Sequence, residues 1–356
     1  MGTLRFYRDE PLFGLDIGHA SLKAMQIDIK PRQAPTVIGY GNSPFPPDSI
    51  LNGVIVKPEV IAVALHELLD KRLVGAISSR RVACALPTAH TFSRPMKLPP
   101  MEHEEIVEAI HLEAEQYIPI PIGSLYLDYE ITSEGKEGAE ILLVAAPRKI
   151  VDSYVALLES LKLEPVAFEP SINAPSRLLT MEASSKDQPA VIIDVGSVTT
   201  DIAIFDESII VSSTVSSGSD TMADLISKSL HISVEHASQL KNEIGIAYSE
   251  HQQRIIDAIK PELETVVHEI QKTVRYYSER AAGSGHKLAQ IITVGGGAIM
   301  PGLNQYLHRE LQLPTHNLDP WQQISFGRLP IPSAADSSMY ITVAGQAILN
   351  PTEIVK

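Results

Sequence analysis

VIIDVGSVTTDIAIF, residues 191–205, has a counterpart near the start of the chain, where residues 13–27 read FGLDIGHASLKAMQI. When Asp16 is aligned with Asp194, the glycines two positions later also align, and an alternating apolar run follows in both copies. Each copy therefore predicts an apolar strand ending in Asp, a polar turn at Gly and a second strand, which together form a β-hairpin. The copies lie about half of the 356-residue chain apart, so the repeat predicts two related halves.

The two predicted turns carry residue types that bind phosphate and magnesium. Asp16 and Asp194 suit a hydrated Mg²⁺, because this ion keeps several waters and needs only one or two carboxylates beside phosphate oxygens. The neighbouring Gly18 and Gly196 allow successive backbone N–H groups to face phosphate oxygens. Further donors are Ser21 and Lys23 in the first copy and Ser197, Thr199 and Thr200 in the second. Two such hairpins facing each other would grip a triphosphate, whereas either one alone is equally typical of an exposed turn.

A third glycine-rich turn lies late in the chain. Gly295, Gly296 and Gly297 directly follow a strand predicted at 289–294, where a backbone without side chains can approach a ribose or an α-phosphate closely. A run of three glycines is also common in flexible surface loops. The GxGxxG and GxxxxGK[ST] phosphate loops are absent from the sequence, so neither a dinucleotide fold nor a Walker-type site is indicated.

Length and composition favour a folded protein with more than one core. The chain exceeds the roughly 250 to 300 residues at which a single core stops growing, and 44% of its residues are apolar. Its net charge of −14 disfavours binding to nucleic acid or anionic lipid. We expect no membrane insertion, because no apolar run approaches the roughly 18 residues of a membrane span. The lone Cys84 cannot form an internal disulfide, which fits a reducing cytoplasm.

Other chemistries lack sequence support. There is no HExxH motif, and a single cysteine excludes a cysteine-type zinc site. The GxSxG motif of hydrolases is also absent.

The middle of the chain predicts an extra unit within the first half. A helix is expected from about residue 102 to Pro119, followed by the alternating strands SLYLDYEI and EILLVAA. Amphipathic helices are expected at 60–72 and 150–161, and the polar segment 182–189 is interpreted as a hinge between halves. In the second half, periodicity predicts helices at 221–230, 234–243, 254–282 and 340–349.

Two DxG hairpins and a late VGGGA turn resemble the phosphate 1, phosphate 2 and adenosine motifs of the actin, Hsp70 and sugar-kinase ATPases. The runs EAIHLEAEQYIPIPIGSLYLDYEI, VACALPTAHTFSRPMKLPPMEHEEI and ILLVAAPRKIVDSYVALLESLKLEPVAFEPSINAPSRLL, with VIIDVGSVTTDIAIFD, narrow this to a resemblance to the PilM family of type IV pilus machines. It extends over almost the whole chain. The resemblance implies an α/β, two-lobed actin-like ATPase fold with an inserted α+β subdomain of the FtsA and PilM type.

The resemblance also implies domain bounds and cofactors. The first actin-like half would comprise residues 1–83 and 168–184, with the inserted subdomain at 84–167. The second half would comprise 185–356, with a helical subdomain at 212–285. The implied cofactors are ATP and Mg²⁺, the metal being held by Asp16 and Asp194.

Carried over residue by residue, the resemblance assigns further positions. The first phosphate motif would be Asp16, Gly18, His19, Ser21 and Lys23, and the second Asp194, Gly196, Ser197, Thr199, Thr200 and Asp201. Gly295, Gly296, Gly297 and Ala298 would face the adenosine together with Lys241. Glu169 would lie near the attacking water and be the catalytic candidate. Two residues depart from the family pattern. His19 stands where the family usually has Ser or Thr, and Ser238 stands where it often has Glu, so contacts with the phosphates and with the ribose would be weaker.

A partner and a location follow from the resemblance as well. It implies binding of the cytoplasmic N-terminal peptide of a PilN-like membrane protein, in a groove expected where the inserted subdomain meets the first half. Other cytoplasmic pilus proteins are further candidate partners. The protein would thus be a cytoplasmic ATP-binding adaptor, peripheral to the inner membrane through its partner, with at most slow ATPase activity. The alternatives are an FtsA-like polymerising cell-division protein and a small-molecule kinase of the same superfamily.

Overall fold

The computed structural model describes residues 11–101, 103–135, 138–181, 188–247, 252–280 and 287–349. The strands in these ranges are β1 (Phe13–Ile17), β2 (Ser21–Asp28), β3 (Thr36–Pro44), β4 (Ile50–Leu51), β5 (Val54–Ile55), β6 (Val74–Gly75), β7 (Arg81–Leu86), β8 (Phe92–Leu98), β9 (Leu125–Gly135), β10 (Gly138–Pro147), β11 (Glu164–Pro170), β12 (Ala190–Val195), β13 (Thr200–Asp206), β14 (Ser208–Val215), β15 (Gln290–Val294) and β16 (Thr315–Asn317).

Most of the helices in the same ranges agree with the predicted periodicity. They are α1 (Pro58–Glu67), α2 (His103–Tyr117), α3 (Arg148–Ser160), α4 (Asn173–Leu179), α5 (Ser219–Leu230), α6 (Val234–Glu243), α7 (Gln252–Arg280), α8 (Leu303–Leu311), α9 (Ala334–Ser337) and α10 (Ile341–Ala347). The helix predicted at 60–72 is α-helical only as far as Glu67 and continues as a π-helical turn, Leu68–Arg72. None of the helices in the described ranges is both long and apolar enough to span a membrane.

Two sheets of the same design form the centres of two lobes. The first has the strand order β11-β7-β1-β2-β3-β6, and the second has the order β14-β13-β12-β15-β16. In both, the predicted hairpin is antiparallel and its first strand pairs in parallel with a later strand, β7 for β1 and β15 for β12. Every residue of β7 and of β15 is buried, as expected for strands covered on both faces.

The apolar core between the two sheets joins the lobes. It contains Met25 and Tyr40 from the first sheet, Ile192 and Ala203 from the second, and Ile341 from α10. Helix α10 contacts α4 and strands β1, β2 and β7, so the end of the described chain packs on the first lobe. The assignment of residues 185–356 to the second half therefore does not hold for α10, because its apolar side chains complete this shared core.

The inserted subdomain has a sheet and a core of its own. Strands β8, β10 and β9 pair in that order, and α2 covers the sheet through Ile106, Ile110 and Ala114. The bounds 84–167 are too wide, because β7 pairs with β1 and α3 buries Tyr154 in the core of the first lobe. The separate unit extends from β8 to β10. The predicted hinge at 182–189 lies largely outside the described residues, which resume at Gln188.

Candidate functional site

The turns of the two hairpins have the same backbone geometry. Gly18 N donates to Ser21 O at 3.0 Å, and Gly196 N donates to Thr199 O at 2.9 Å. The sequence repeat thus produces a repeated turn. In both hairpins the aspartate pairs across the two strands with the residue seven positions later, which is Lys23 opposite Asp16 and Asp201 opposite Asp194.

A cleft of about 680 Å³ lies between the lobes, and both turns line it. The predicted site residues that it brings together are Asp16, Gly18, His19, Ser21, Lys23, Asp194, Gly196, Ser197, Thr199, Asp201, Lys241, Gly295, Gly296 and Gly297. These residues come from both halves of the sequence, and the packing of the lobes places them around one cavity. The size suits a ligand in the range of a nucleotide.

The first hairpin balances its own charge. Lys23 Nζ lies 3.1 Å from Asp16 Oδ2, and both side chains are largely buried. A lysine at this position supplies a mobile point charge with three donors, which suits a phosphate group as well as a carboxylate.

The second hairpin carries an excess of negative charge. Burial, reinforced by the nearby carboxylates of Asp201 and Asp16, raises the pKa of Asp194 to about 7, and Lys23 opposes this shift. Burial also raises the pKa of Asp201 to about 6, although hydrogen bonds from the Thr214 and Thr88 hydroxyls lower it. Thr214 Oγ1 donates to Asp201 Oδ1 at 2.6 Å. Since close carboxylates repel each other when ionised, a bound cation would stabilise the ionised forms of Asp194 and Asp201.

The glycine turn is fitted closely against the second hairpin. Gly295 has a φ of +86°, and an added Cβ would overlap Asp194 Oδ1 and the Val195 carbonyl. Ser338 Oγ donates to Gly295 O at 2.8 Å and holds the turn from the other side. By contrast, an added Cβ on Gly296 would meet no heavy atom within 4 Å. Gly295 is therefore required by packing, while Gly296 leaves open space beside the cleft.

Three predicted site residues do not line the cleft. Thr200 is buried and donates to Ser217 O at 2.6 Å, because side chains alternate along an extended chain and its two neighbours, Thr199 and Asp201, are the ones that line the cavity. Ala298 is buried in the core of the second lobe. Glu169 forms a bidentate ion pair with Arg177, with Nη1 to Oε1 at 2.6 Å, and it is not among the residues that line the cleft.

Sequence reasoning missed several residues of the cleft wall. Ser219 and Asp220 begin α5, where their backbone N–H groups donate to Gly196 O and Ser197 O at 2.9 and 2.8 Å. The buried Lys241 hydrogen-bonds the Ser219 hydroxyl, and burial lowers the pKa of this lysine. Thr88, His90, Ser171 and Asn242 also line the cavity. Ser219 and Asp220 could have been predicted from the sequence, because the segment Gly218–Asp220 directly precedes a predicted helix.

The donor set fits a hydrated magnesium ion better than a tightly ligated metal. Among the described residues, no group of three or more His, Cys, Asp or Glu side chains is arranged to hold a metal. Magnesium is commonly bound through one or two carboxylates, waters and substrate phosphates, so Asp16 and Asp194 are sufficient. The excess negative charge of the second hairpin is what such an ion would relieve.

Comparison with solved structures shows the fold. The chain is similar to a structure described as a PilM-PilN type IV pilus biogenesis complex, with 22% identity, a TM-score of 0.81 and coverage of 98% of this chain and 100% of that one. It is also similar to MreB 5 of Spiroplasma citri bound to AMPPNP (17%, TM-score 0.55, 98% of each chain). The ethanolamine utilization protein EutJ from Carboxydothermus hydrogenoformans matches as well (15%, TM-score 0.52, 94% and 88%).

These similarities confirm the predicted two-lobed actin-like fold. The family model described as type IV pilus assembly protein PilM matches residues 14–350, a range that includes both hairpins, the inserted subdomain and the glycine turn. A match over nearly the whole chain establishes the family, and the chain belongs to the PilM family of type IV pilus assembly proteins.

Proposed function

We propose that this protein is a cytoplasmic ATP-binding adaptor of the type IV pilus inner-membrane assembly complex. In this proposal it binds Mg²⁺–ATP in the interlobe cleft and the cytoplasmic N-terminal peptide of a PilN-like membrane protein, which holds it at the membrane. The family membership supports the pilus role. The similar MreB 5 structure holds AMPPNP, and the similar PilM structure is a complex with PilN.

The main observation in support of nucleotide binding is that two turns with the same backbone geometry and different charge line one cavity. Gly18 and Gly196 present their turns to one cavity, which suits a chain of phosphates held from both lobes. Lys23 supplies positive charge on one side, and Asp194 supplies a carboxylate on the other. A bound magnesium ion would neutralise phosphate charge there.

Slow hydrolysis follows from the surroundings of Glu169. A general base must reach the attacking water, but this carboxylate is occupied by Arg177. Asp194 and Asp201 lie in the phosphate region, where the proposal gives them a role in binding. The site is therefore suited to holding a nucleotide rather than to rapid turnover.

A second cavity offers a place for the partner peptide. It has a volume of about 320 Å³ and lies between β8 and α2 of the inserted subdomain and β14 and α7 of the second lobe. Its apolar lining includes Phe92, Met96 and Leu143, and at its rim the Arg94 guanidinium lies 3.5 Å from the centre of the Tyr117 ring. We call this cavity the β8–β14 groove. It differs from the expected position, because its second wall comes from the second lobe.

The groove lies between two sheet edges. Strand β8 pairs with β10 on one side and β14 pairs with β13 on one side, and no ladder between β8 and β14 is present in the described residues. Unpaired strand edges bind extended peptides through main-chain hydrogen bonds, while adjacent pockets select side chains. These features suit an extended peptide with apolar side chains.

The test is titration of a synthetic peptide of the PilN N-terminal cytoplasmic segment into the protein. Ser212→Arg places a long charged side chain in the groove and should weaken peptide binding by at least about tenfold. Ser216→Arg is the matched control on an exposed residue of the same segment and should bind as the wild type does. Equal affinity in all three proteins would show that the peptide binds elsewhere.

The alternatives have distinct signatures. A small-molecule kinase would release ADP faster when a sugar substrate is added, whereas the adaptor would not respond. An FtsA-like polymer would sediment in the presence of nucleotide at moderate centrifugal force, whereas the adaptor would remain in solution. Phosphotransfer to a sugar or nucleotide-dependent sedimentation would replace the proposed function.

A further inference from the structure

The described residues that line the β8–β14 groove include one basic and one acidic side chain. Arg94 lies on β8 and Glu113 lies on α2, and the other lining residues are uncharged. Both side chains are partly buried. Within the described part of the chain, neither charged group has an ion-pair or hydrogen-bond partner. Since a partly buried charge without a counter-ion is unfavourable, a ligand that supplies the opposite charge at each position would be bound more tightly.

The guanidinium of Arg94 is held in place by an aromatic ring. It lies 3.5 Å from the centre of the Tyr117 ring, which is a cation–π contact. At this distance the face of the guanidinium packs on the ring, so the N–H groups at its edge remain available for an acceptor. The backbone of Arg94 is fixed as well, because it pairs with Leu143 in the ladder between β8 and β10. A guanidinium held in this way suits a carboxylate, which accepts two parallel hydrogen bonds.

The acidic side chain lies beside this stacked pair. Glu113 and Tyr117 are four residues apart on α2, and residues with this spacing have Cβ atoms about 5–6 Å apart on one helix face. In an extended peptide, the side chains of residues i and i+2 lie on one face roughly 7 Å apart. The positions of Arg94 and Glu113 therefore suit a peptide in which an acidic and a basic side chain are two residues apart.

We propose that Arg94 and Glu113 select the segment that binds in the β8–β14 groove, an extended peptide with an acidic and a basic side chain two residues apart. The acidic side chain pairs with Arg94, and the basic side chain pairs with Glu113. The inference rests on the proposed function and adds to it the chemistry that distinguishes the bound segment from other extended apolar peptides. Because the two charges are opposite, they also fix the direction in which the peptide crosses the groove.

The experiment is calorimetric titration of the synthetic PilN peptide into the wild type, Arg94→Gln and Glu113→Gln. Each variant should bind at least about tenfold more weakly, because one charge pair with the peptide is lost. Arg148→Gln is the matched control for Arg94, since Arg148 also packs on a tyrosine ring, 4.2 Å from its centre, and does not line the groove. Glu115→Gln is the control for Glu113, on an exposed position of the same helix. Both controls should bind as the wild type does.

Substitutions in the peptide identify the residue that pairs with Arg94. When its acidic residues are replaced one at a time by the corresponding amides, one replacement should weaken binding to the wild type and have no further effect on Arg94→Gln. A peptide with Lys at that position should bind Arg94→Glu more tightly than it binds the wild type. A purely structural role of Arg94 would not produce this rescue, and thermal unfolding checks that each variant is folded.

The possible results separate the inference from the proposed function. Peptide binding that is weakened by Ser212→Arg but unchanged in Arg94→Gln and Glu113→Gln would overturn the inference and leave the proposed function standing. Equal weakening in Arg94→Gln and in its control Arg148→Gln would also overturn it, because the effect would then reflect the charge of the whole surface. A wild type that does not bind the peptide would contradict the proposed function and the inference together.

Discussion

The hairpins β1–β2 and β12–β13 share a backbone and differ in charge. Both turns close with a Gly N–H donating to a carbonyl three residues later, at 3.0 and 2.9 Å. In the first hairpin an aspartate faces a lysine, and Lys23 lies 3.1 Å from Asp16. In the second an aspartate faces another aspartate, and the pKa of Asp194 rises to about 7 because burial and neighbouring carboxylates disfavour its charge.

This difference in charge suggests different roles for the two hairpins. The first hairpin is satisfied by its own ion pair, and its lysine can turn to a phosphate when one is present. In the second hairpin two buried carboxylates lie close together, and a bound cation would stabilise this arrangement. A nucleotide with its metal would thus be held by a positive side chain on one lobe and by carboxylates on the other, with little rearrangement of either backbone.

The largest expected effect comes from the glycine that packs on the second hairpin. Gly295→Ala should destabilise the protein by about 3 kcal/mol, because the new Cβ overlaps Asp194 Oδ1 and the Val195 carbonyl at a left-handed φ. Gly296→Ala is the matched control and should be nearly neutral, since its Cβ enters open space. Denaturant unfolding of the two variants measures both values. Equal stabilities would mean that the glycine turn is not packed as described.

The charge strain of the second hairpin predicts a pH dependence. The pKa of Asp194 is about 7 in the folded state, compared with the ordinary aspartate value of 3.8 that applies to the unfolded chain. Between about pH 4 and pH 7 the folded protein therefore binds more protons than the unfolded chain. The free energy of unfolding of the ligand-free protein should therefore fall as the pH rises through that window. Asp194→Asn should stabilise the metal-free protein at pH 8 by on the order of 2 kcal/mol, and by less at pH 5.

Unfolding with a chelator present, at both pH values, checks this prediction. Asp70→Asn removes an exposed carboxylate and serves as the control. An Asp194→Asn variant no more stable than the wild type at pH 8 would show that the second hairpin carries no charge strain.

The ion pair of the first hairpin predicts a smaller change. Lys23→Met should weaken ATP binding by roughly tenfold, about 1.4 kcal/mol, because the phosphates lose a positive charge and Asp16 is left unpaired. Lys30→Met removes an exposed lysine that pairs with Asp28 2.8 Å away, and it should leave ATP affinity unchanged. Calorimetric titration of both variants makes the comparison. Tenfold weakening in the control as well would point to a loss of general surface charge.

The smallest effect is expected at Glu169. Breaking its ion pair with Arg177 through Glu169→Gln should cost about 1 kcal/mol of stability and leave ATP turnover at the wild-type rate. That rate itself should lie well below the roughly 10 s⁻¹ typical of enzymes. Steady-state phosphate release and thermal unfolding provide the two numbers. Loss of turnover with unchanged stability would restore the catalytic assignment of this residue.

Local pattern was enough to predict the hairpins, the glycine turn and most helices. Each depends on residues close in sequence, such as the aspartate and glycine of the two turns or the apolar periodicity of α2 and α7. The placement of the two copies in one cleft also followed from the repeat, because related halves that each begin with the same hairpin can present both turns to one site.

The remainder depended on contacts between distant segments. Parallel pairing of β7 with β1 and β11 set the bounds of the inserted subdomain, and no local pattern encodes such pairing. Thr200 stands among polar neighbours in the sequence, but strand alternation turns it towards Ser217. Glu169 pairs with an arginine eight residues later, on the following helix, and no local pattern predicts this contact. The groove between β8 and β14 required the relative placement of both lobes.

Calorimetric titration of Mg²⁺–ATP into the wild type and into Asp194→Ala and Asp16→Ala tests the proposed nucleotide site between the two hairpins. The wild type should bind ATP, and its binding should weaken when magnesium is chelated. Each variant should lose at least about tenfold in affinity, because each lacks a carboxylate facing the cleft. Unchanged ATP affinity in both variants would contradict the assignment of the two hairpins as a nucleotide site.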